Sequence, residues 1–261
     1  MSGFVDIHAH LLPGIDDGPD DLEGAVEMAG AAAAAGTETI AATPHLRGDF
    51  PTVRVDELAA RCQALREAIE RDGISLRMVS GAEVGLVWAL GASEDQLRLA
   101  TYEQRGSDLL IETPSDVSAL AELLGGLRVR GLRVTLAHPE RSGAWQRDPR
   151  PLASLCQQGV LLQVDAAALL ARRTSPVGRL AERLCREGLV NAIASDGHRA
   201  ASWRPVSDLA EGVEAAAALV GPARAQWMAS DAPGAIIAGR GLPDAPEIEA
   251  GRGAGWRRWR D

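Results

Sequence analysis

The feature that most constrains the fold is a regular alternation of short apolar strands with helical segments along most of the chain. Seven strands are predicted, over residues 4–10, 39–43, 76–79, 109–111, 133–137, 160–164 and 190–194. Strands that alternate with helices are typical of parallel β/α construction. The sequence therefore predicts an α/β fold built as a seven-stranded barrel or near-barrel.

Length and composition are consistent with one such domain. The chain has 261 residues, of which 46% are hydrophobic but only 3% aromatic, so Ala, Leu and Val must form most of the core. We expect a single domain over residues 1–240. Residues 241–261 are rich in Pro, Gly and Glu and end in an Arg/Trp stretch. This segment is interpreted as a flexible tail, with a docking peptide for a membrane or partner as the alternative.

Charge and cysteine content exclude several classes of protein. The net charge of −9 argues against general nucleic-acid binding, which needs basic surface. Cys62, Cys156 and Cys185 are widely spaced, so neither a disulfide framework nor a zinc finger is indicated. The N-terminus lacks a leader pattern and no stretch reaches the length of a membrane span. We therefore expect a cytoplasmic protein.

The polar residues that follow the predicted strands give the first indication of function. Nine of them are histidines or carboxylates at or just after a strand's carboxyl end: His8, His10, Asp17, His45, Glu83, Glu112, His138, Asp196 and His198. Each alone could be a loop cap, a turn residue or a solvated acid. Side chains from the carboxyl ends of parallel strands converge on one site, however, and clustered carboxylates repel one another unless cations neutralise them. The nine together predict a polynuclear metal site.

The donor types narrow the choice of ion. Imidazole and carboxylate without thiolate suit Mn²⁺, Fe²⁺ or Zn²⁺. At about three or four protein ligands per ion, nine ligands imply two or three divalent ions. His8 and His10 alternate along one strand, so both face the same side and can share an ion.

These motifs, taken in order, resemble a known family. H-x-H with D-D-G, then T-P-H, G-x-E, L-I-E, A-H-P-E-R and A-S-D-x-H are similar to motifs of the polymerase and histidinol phosphatase (PHP) superfamily. Within it, the chain resembles the bacterial manganese-dependent protein-tyrosine phosphatases of capsular and exopolysaccharide synthesis. The resemblance covers residues from about 4 to 204 and implies a distorted seven-stranded β/α barrel of PHP type.

The resemblance also implies roles for individual residues. It places His8, His10, Glu83 and Asp196 on one ion, with Glu83 bridging to a second held by Glu112 and His138. Asp17, His45 and His198 would hold the third, and Mn²⁺ is the ion expected first. Arg141 and Arg204 stand where these phosphatases grip the substrate phosphate, although either could instead form a surface ion pair.

The implied reaction is phosphomonoester hydrolysis by a metal-bound hydroxide, with a bacterial tyrosine autokinase as the partner and a homo-oligomer as the assembly. A histidinol-phosphatase-like enzyme or a phosphodiesterase of the same superfamily remains open, because specificity lies in loops. A non-catalytic kinase-binding regulator is the alternative from another class. Thr113 and Arg199 depart from the family's usual Phe and Asn, which leaves the predicted ligands intact and the substrate preference open.

Overall fold

The computed structural model describes residues 3–172 and 174–249. Its strands are β1 (Phe4–Ala9), β2 (Thr37–Ala42), β3 (His45–Leu46), β4 (Arg77–Ser80), β5 (Glu83–Val84), β6 (Asp108–Glu112), β7 (Arg133–Ala137), β8 (Leu161–Asp165) and β9 (Ala192–Ala194). Every strand pair is parallel. The predicted α/β class with parallel sheets is therefore confirmed.

Helices occupy most of the connections between strands. They are α1 (Leu22–Ala34), α2 (Leu58–Arg71), α3 (Leu86–Gly91), α4 (Glu94–Ala100), α5 (Leu120–Val129), α6 (Gly143–Arg147), α7 (Arg150–Gln157), α8 (Ala166–Leu170), α9 (Pro176–Arg186), α10 (Asp208–Val220), α11 (Pro222–Gln226) and α12 (Ala232–Ile237). Short 3₁₀ turns lie at Tyr102–Gln104 and Pro139–Arg141, and a π-helical turn at Trp227–Asp231 joins α11 to α12. Asp21 and Ser175 cap α1 and α9 through their side-chain oxygens, which satisfies backbone N–H groups that have no partner within the helix.

The strands form two sheets, one in the order β1-β2-β4 and one in the order β3-β5-β6-β7-β8-β9. The described residues thus contain nine strands where seven are predicted, because the two-residue strands β3 and β5 lie beyond the predicted ends of the second and third strands. Pro44 separates β2 from β3, and it cannot donate a ladder hydrogen bond. Gly81 separates β4 from β5, and a Cβ there would lie 2.9 Å from the Tyr102 ring.

Hydrogen bonds also join the two ends of the strand series. The amide of Asp196, just after β9, donates to the His8 carbonyl in β1 at 2.9 Å, and the His10 amide donates to the Gly197 carbonyl at 2.8 Å. These bonds hold the segment after β9 against the end of β1. The two stretches with the most predicted ligands are therefore adjacent.

The strands pack apolar residues on both faces. One buried cluster draws residues from strands of both sheets, from the 3₁₀ turn at Tyr102 and from the end of α12: Ile7, Ala41, Val79, Tyr102, Leu110, Ala137, Ala192, Ala194, Ile236 and Ile237. A larger cluster lies between the sheets' other face and the helices, and includes Ile40, Leu109, Val134 and Leu162. Alternate residues of a strand point to opposite faces, so the longer strands serve both clusters, whereas β3 and β5 contribute Leu46 and Val84 to the larger one only.

The predicted tail is described only over residues 241–249. Leu242 and Ile248 pack partly buried against the larger cluster, and the Glu249 amide donates to the Val220 carbonyl at 3.0 Å. Residues 250–261 lie outside the described residues, so the predicted flexible tail is untested there. No helix in residues 3–172 or 174–249 combines the length and the apolar composition that a membrane span requires.

Candidate metal centre

The nine predicted ligands come together at the carboxyl ends of the strands. They form four groups in which one ligand atom of each residue lies within 4.8 Å of the others: His10, Asp17, His45 and His198; His8, His10 and Asp196; His8, Glu83 and His138; and His45, Glu83 and Glu112. The groups share members, so they form one continuous centre. Four residues, His8, His10, His45 and Glu83, belong to two groups each. His10 thereby links the predicted first and third ion sites, and His45 links the third to the second.

Glu83 is the most central carboxylate of this centre. Its Oε1 lies 2.7 Å from His138 Nε2, and its Oε2 lies 2.6 Å from His45 Nδ1 and 3.5 Å from His8 Nε2. Asp196 occupies a similar place, with Oδ1 3.4 Å from His8 Nε2 and 3.3 Å from His10 Nε2. Two buried carboxylates thus face the same imidazole nitrogens from different strands.

Several of these atoms lack a hydrogen bond, which tests whether the residues fit a metal. Among the described residues, the buried atoms without a hydrogen-bond partner include His8 Nε2, His10 Nε2 and Asp17 Oδ1. Buried polar atoms without partners are costly, and all three point into the centre. Neutral imidazole nitrogens and carboxylate oxygens are ligands for Mn²⁺, Fe²⁺ or Zn²⁺, so the donor set fits divalent cations.

The electrostatics of the centre also favour cations. Burial opposes the charged form of Glu83, yet neighbouring imidazoles, that of His8 first, hold its pKa well below the ordinary value. The pKa of Asp196 is lowered in the same way by His8 and His10. Both carboxylates therefore stay ionised in a buried place, and protonated imidazoles balance them; a divalent cation bound to the neutral rings would supply the same positive charge.

Two side chains behind the histidines fix the orientation of the rings. Asp16 Oδ2 lies 2.8 Å from His10 Nδ1, and Gln163 Oε1 lies 2.9 Å from His8 Nδ1. Each contact occupies one ring nitrogen and leaves Nε2 directed into the centre. Partners of this kind set the tautomer and orientation of metal-binding histidines.

Arg141 and Arg204 both reach Asp196. Arg141 Nη2 lies 2.6 Å from Asp196 Oδ2 and also pairs with Asp165, while Arg204 Nη1 lies 3.2 Å from the same Asp196 oxygen. The two side chains are 31% and 30% exposed, so each guanidinium keeps an open side. The two arginines form ion pairs, but at the edge of the centre rather than on a remote surface.

A match to a sequence model identifies the protein family of this chain. The sequence model of the family described as "Capsular polysaccharide synthesis, CpsB/CapC" matches residues 4–238. The chain belongs to the CpsB/CapC family. The predicted resemblance to the bacterial phosphatases of capsule synthesis is confirmed.

Curated relatives of this CpsB/CapC chain carry an enzyme name. It is 29% identical over 197 residues to the tyrosine-protein phosphatase YwqE of Bacillus subtilis. The alignment covers 75% of this chain and 77% of the relative. It is 22% identical over 210 residues to the tyrosine-protein phosphatase CpsB of Streptococcus pneumoniae, covering 77% of this chain and 86% of the relative.

Solved structures agree on the fold of the CpsB/CapC chain. One, from a study of YwqE of B. subtilis and CpsB of S. pneumoniae as unique metal-dependent tyrosine phosphatases, superposes with a TM-score of 0.80 at 22% identity. The match covers 95% of this chain and 100% of that one. A β-aspartyl dipeptidase from Fervidobacterium islandicum superposes with a TM-score of 0.56 at 12% identity, which shows a shared fold only.

Sequence reasoning missed several residues of this CpsB/CapC centre. Arg47 donates a hydrogen bond to the predicted ligand Glu112, and the two line a cavity of about 660 Å³ together with His138, Arg141 and Arg147. Asp6 accepts from the His8 and Ser195 amides at 3.2 and 3.1 Å, and burial raises its pKa to about 6. Asp16 belongs to the quoted D-D-G motif, but only its fold position reveals the contact with His10.

Proposed function

We propose that this protein is a metal-dependent protein-tyrosine phosphatase, and that its substrate is a tyrosine-phosphorylated protein of capsular or exopolysaccharide synthesis such as a bacterial tyrosine autokinase. The observation that carries the proposal is the convergence of nine histidine and carboxylate side chains, at whose edge two guanidinium groups meet Asp196. The names of the relatives YwqE and CpsB support the reaction. The family description supports the pathway.

In this proposal the nine residues hold two or three divalent ions. His8, His10, Glu83 and Asp196 would hold one, Glu83 would bridge to a second at Glu112 and His138, and Asp17, His45 and His198 would hold the third. Bound ions would supply Lewis acidity and a water of lowered pKa to the phosphate. Mn²⁺ is proposed as the ion because oxygen and imidazole donors suit it, with Fe²⁺ or Zn²⁺ as alternatives.

The arginines carry the substrate-binding part of the mechanism. A guanidinium presents paired N–H donors that match phosphate oxygens, and Arg141 and Arg204 both have an exposed side. Asp165 and Asp196 orient the Arg141 guanidinium before substrate arrives. A phenol has a pKa of about 10, so a tyrosine leaving group needs less proton assistance than an alkyl alcohol.

We also propose that the two sheets form one distorted seven-stranded barrel, in which β2 with β3 and β4 with β5 each count as one position. The hydrogen bonds between the segment after β9 and the end of β1, and the apolar cluster shared by both sheets, support closure. A single domain over residues 1–240 belongs to the same proposal. A cytoplasmic location and a homo-oligomer complete it. The location is supported by three cysteines without disulfides in the described residues.

A substrate panel tests the proposed function. Purified protein loaded with Mn²⁺ is assayed on a phosphotyrosine peptide, histidinol phosphate and a phosphodiester, with metal content measured on the same preparation. We expect the phosphotyrosine peptide to give the highest kcat/KM and metal content of two or three ions per chain. Preferred turnover of histidinol phosphate or of the diester would contradict the substrate assignment, and no turnover at all would contradict the enzyme assignment.

A further inference from the structure

The centre contains a continuous row of aromatic rings that ends in two residues outside the predicted ligand set. From one end to the other the row is Phe50, His45, His10, His198 and Trp203, with successive ring centroids 4.9, 4.4, 4.1 and 4.9 Å apart. The three imidazoles are predicted ligands. The two end rings have no ligand atom, so their place in the row needs another explanation.

The two end residues differ in their exposure. Phe50 is partly buried and packs against the larger apolar cluster, which is typical of a residue that supports His45. Trp203 is 53% exposed. Among the exposed large hydrophobic residues of the described ranges, it is the single aromatic one. An exposed indole beside a buried polar centre leaves an apolar surface available for a ligand.

The loop around Trp203 is held in place by its backbone. The His198 amide donates to the Arg204 carbonyl at 2.9 Å, and the Val206 amide donates to the Arg199 carbonyl at 3.0 Å. Ser202 and Arg204 have φ of +73° and +48°, the left-handed region that non-glycine residues rarely adopt. Such conformations persist only where the surroundings enforce them, and they concentrate at ligand-binding sites.

The neighbours of Trp203 indicate what binds to it. The Arg204 guanidinium carbon lies 4.8 Å from the centroid of the Trp203 ring, and Arg204 also reaches Asp196 in the centre. Trp203 therefore lies directly beside a cation proposed to hold the phosphate. In an aryl phosphate the ring is joined to phosphorus through a single oxygen, so a phosphate held by Arg204 would bring that ring near the indole, and aromatic rings interact at centroid distances of 4.5–7 Å.

We propose that Trp203 is a specificity-determining residue that contacts the aromatic ring of the substrate and so favours aryl over alkyl phosphates. The proposal rests on the proposed function, because it assumes that the centre binds a phosphomonoester. The opposite possibility is that Trp203 only orients His198, against whose ring it packs at 63°. The two roles differ in whether they depend on the aromatic group of the ligand.

Inhibition by two small phosphonates separates these roles. Phenylphosphonate and methylphosphonate present the same anionic group with and without a ring, and neither is a phosphate ester. Their inhibition constants are measured on the metal-loaded wild type, Trp203→Ala and Trp203→Phe, with Val129→Ala as the control. Val129 is 90% exposed at the end of α5. Metal content and circular dichroism are recorded for each variant.

We expect Trp203→Ala to weaken phenylphosphonate binding by about 2- to 10-fold, the range of one aromatic contact. Binding of methylphosphonate should stay within twofold of the wild type, and Trp203→Phe should recover most of the loss. KM for an aryl phosphate should rise with little change in kcat. Val129→Ala should match the wild type throughout.

Equal weakening of both phosphonates would overturn the proposal, because it would show an effect through His198 or the metal centre. Unchanged binding of phenylphosphonate by Trp203→Ala would overturn it as well. If the wild type hydrolyses phosphomonoesters but one of these results holds, the inference alone fails. If the wild type neither hydrolyses them nor binds either phosphonate, the proposed function fails and the inference fails with it.

Discussion

Asp16 Oδ2 lies 2.8 Å from His10 Nδ1, and the same carboxylate oxygen accepts from the His45 amide at 3.1 Å. Its other oxygen accepts from the Gly18 amide at 3.0 Å. One buried carboxylate thus orients a predicted ligand from the end of β1 and fixes the backbone of another in β3. Asp16 is a positioning residue for the centre.

Replacing Asp16 tests this role. Asp16→Ala removes the acceptor for His10, so we expect metal affinity to fall about 10- to 100-fold, with partial recovery of activity at high Mn²⁺. The control is Asp20→Ala, which changes an exposed carboxylate of the same loop. The measurement is a titration with Mn²⁺ in which phosphatase activity reports metal binding. Equal metal affinity in the Asp16 variant and the wild type would contradict the assignment.

Replacing predicted ligands should separate activity from folding. We expect His45→Ala and Asp196→Ala each to reduce phosphatase activity to background and to lower the metal content. Each side chain lies in a group with predicted ligands from other strands, so its loss removes a donor from a shared site. Circular dichroism should remain that of the wild type. Asp56→Ala, at a carboxylate whose side chain is 58% exposed, is the control. Substantial metal-dependent turnover by both ligand variants would rule out this site.

Conservative replacement of Arg141 tests phosphate binding. Arg141→Lys keeps the positive charge but loses the planar pair of donors. We expect kcat/KM for a phosphotyrosine peptide to fall about 10- to 100-fold, the range for one charged hydrogen bond, with metal content unchanged. Arg147→Lys, in an exposed residue of the same cavity, should stay near the wild type. An Arg141 variant with wild-type kinetics would exclude the residue from substrate binding.

Chelation tests the dependence on metal. We expect EDTA followed by dialysis to abolish activity, and Mn²⁺ to restore it more fully than Zn²⁺ at equal concentration. The physical reason is that the bound ions would supply the Lewis acidity and the water of lowered pKa on which hydrolysis depends. Activity and metal content are measured at each step. Full activity in protein shown to be free of metal would refute the mechanism.

The cysteines provide an independent test against a thiol mechanism. Burial raises the pKa of Cys62 and Cys185 to about 12 and that of Cys156 to about 11. Almost no thiolate exists at pH 8, so we expect iodoacetamide to leave activity unchanged while native protein is alkylated slowly or not at all. Mass spectrometry reports the modified residues. Inactivation in step with alkylation of one cysteine would point to a thiol nucleophile instead.

The sequence predicts the carboxyl ends of the strands well. Buried parallel strands are apolar runs, and the polar residues that follow each run mark its end. His138 after β7 and Asp196 after β9 lie where this pattern places them. The short strands β3 and β5 are not predicted, since two residues are too few to give a strand-like apolar pattern. Whether the nine residues bind metal remains a prediction.

Residues that depend on loop geometry were beyond the reach of pattern reasoning. Arg47 meets Glu112 across 65 positions of sequence, and no spacing rule connects them. Trp203 is positioned by the left-handed backbone of Ser202 and Arg204. Serine and arginine rarely adopt this conformation, so the sequence does not predict it. These contacts follow from tertiary structure, which single-residue propensities do not encode.

The centre draws His8 from the three-stranded sheet and His45, Glu83 and Glu112 from the six-stranded sheet. A cation held by such a set can be bound only while both sheets keep their native positions. Its binding free energy therefore stabilises the folded chain and not the unfolded one. The concentration of free divalent cation would then govern how long the native chain resists heat and proteolysis. Catalytic activity and stability of the native chain would then depend on the same bound cations.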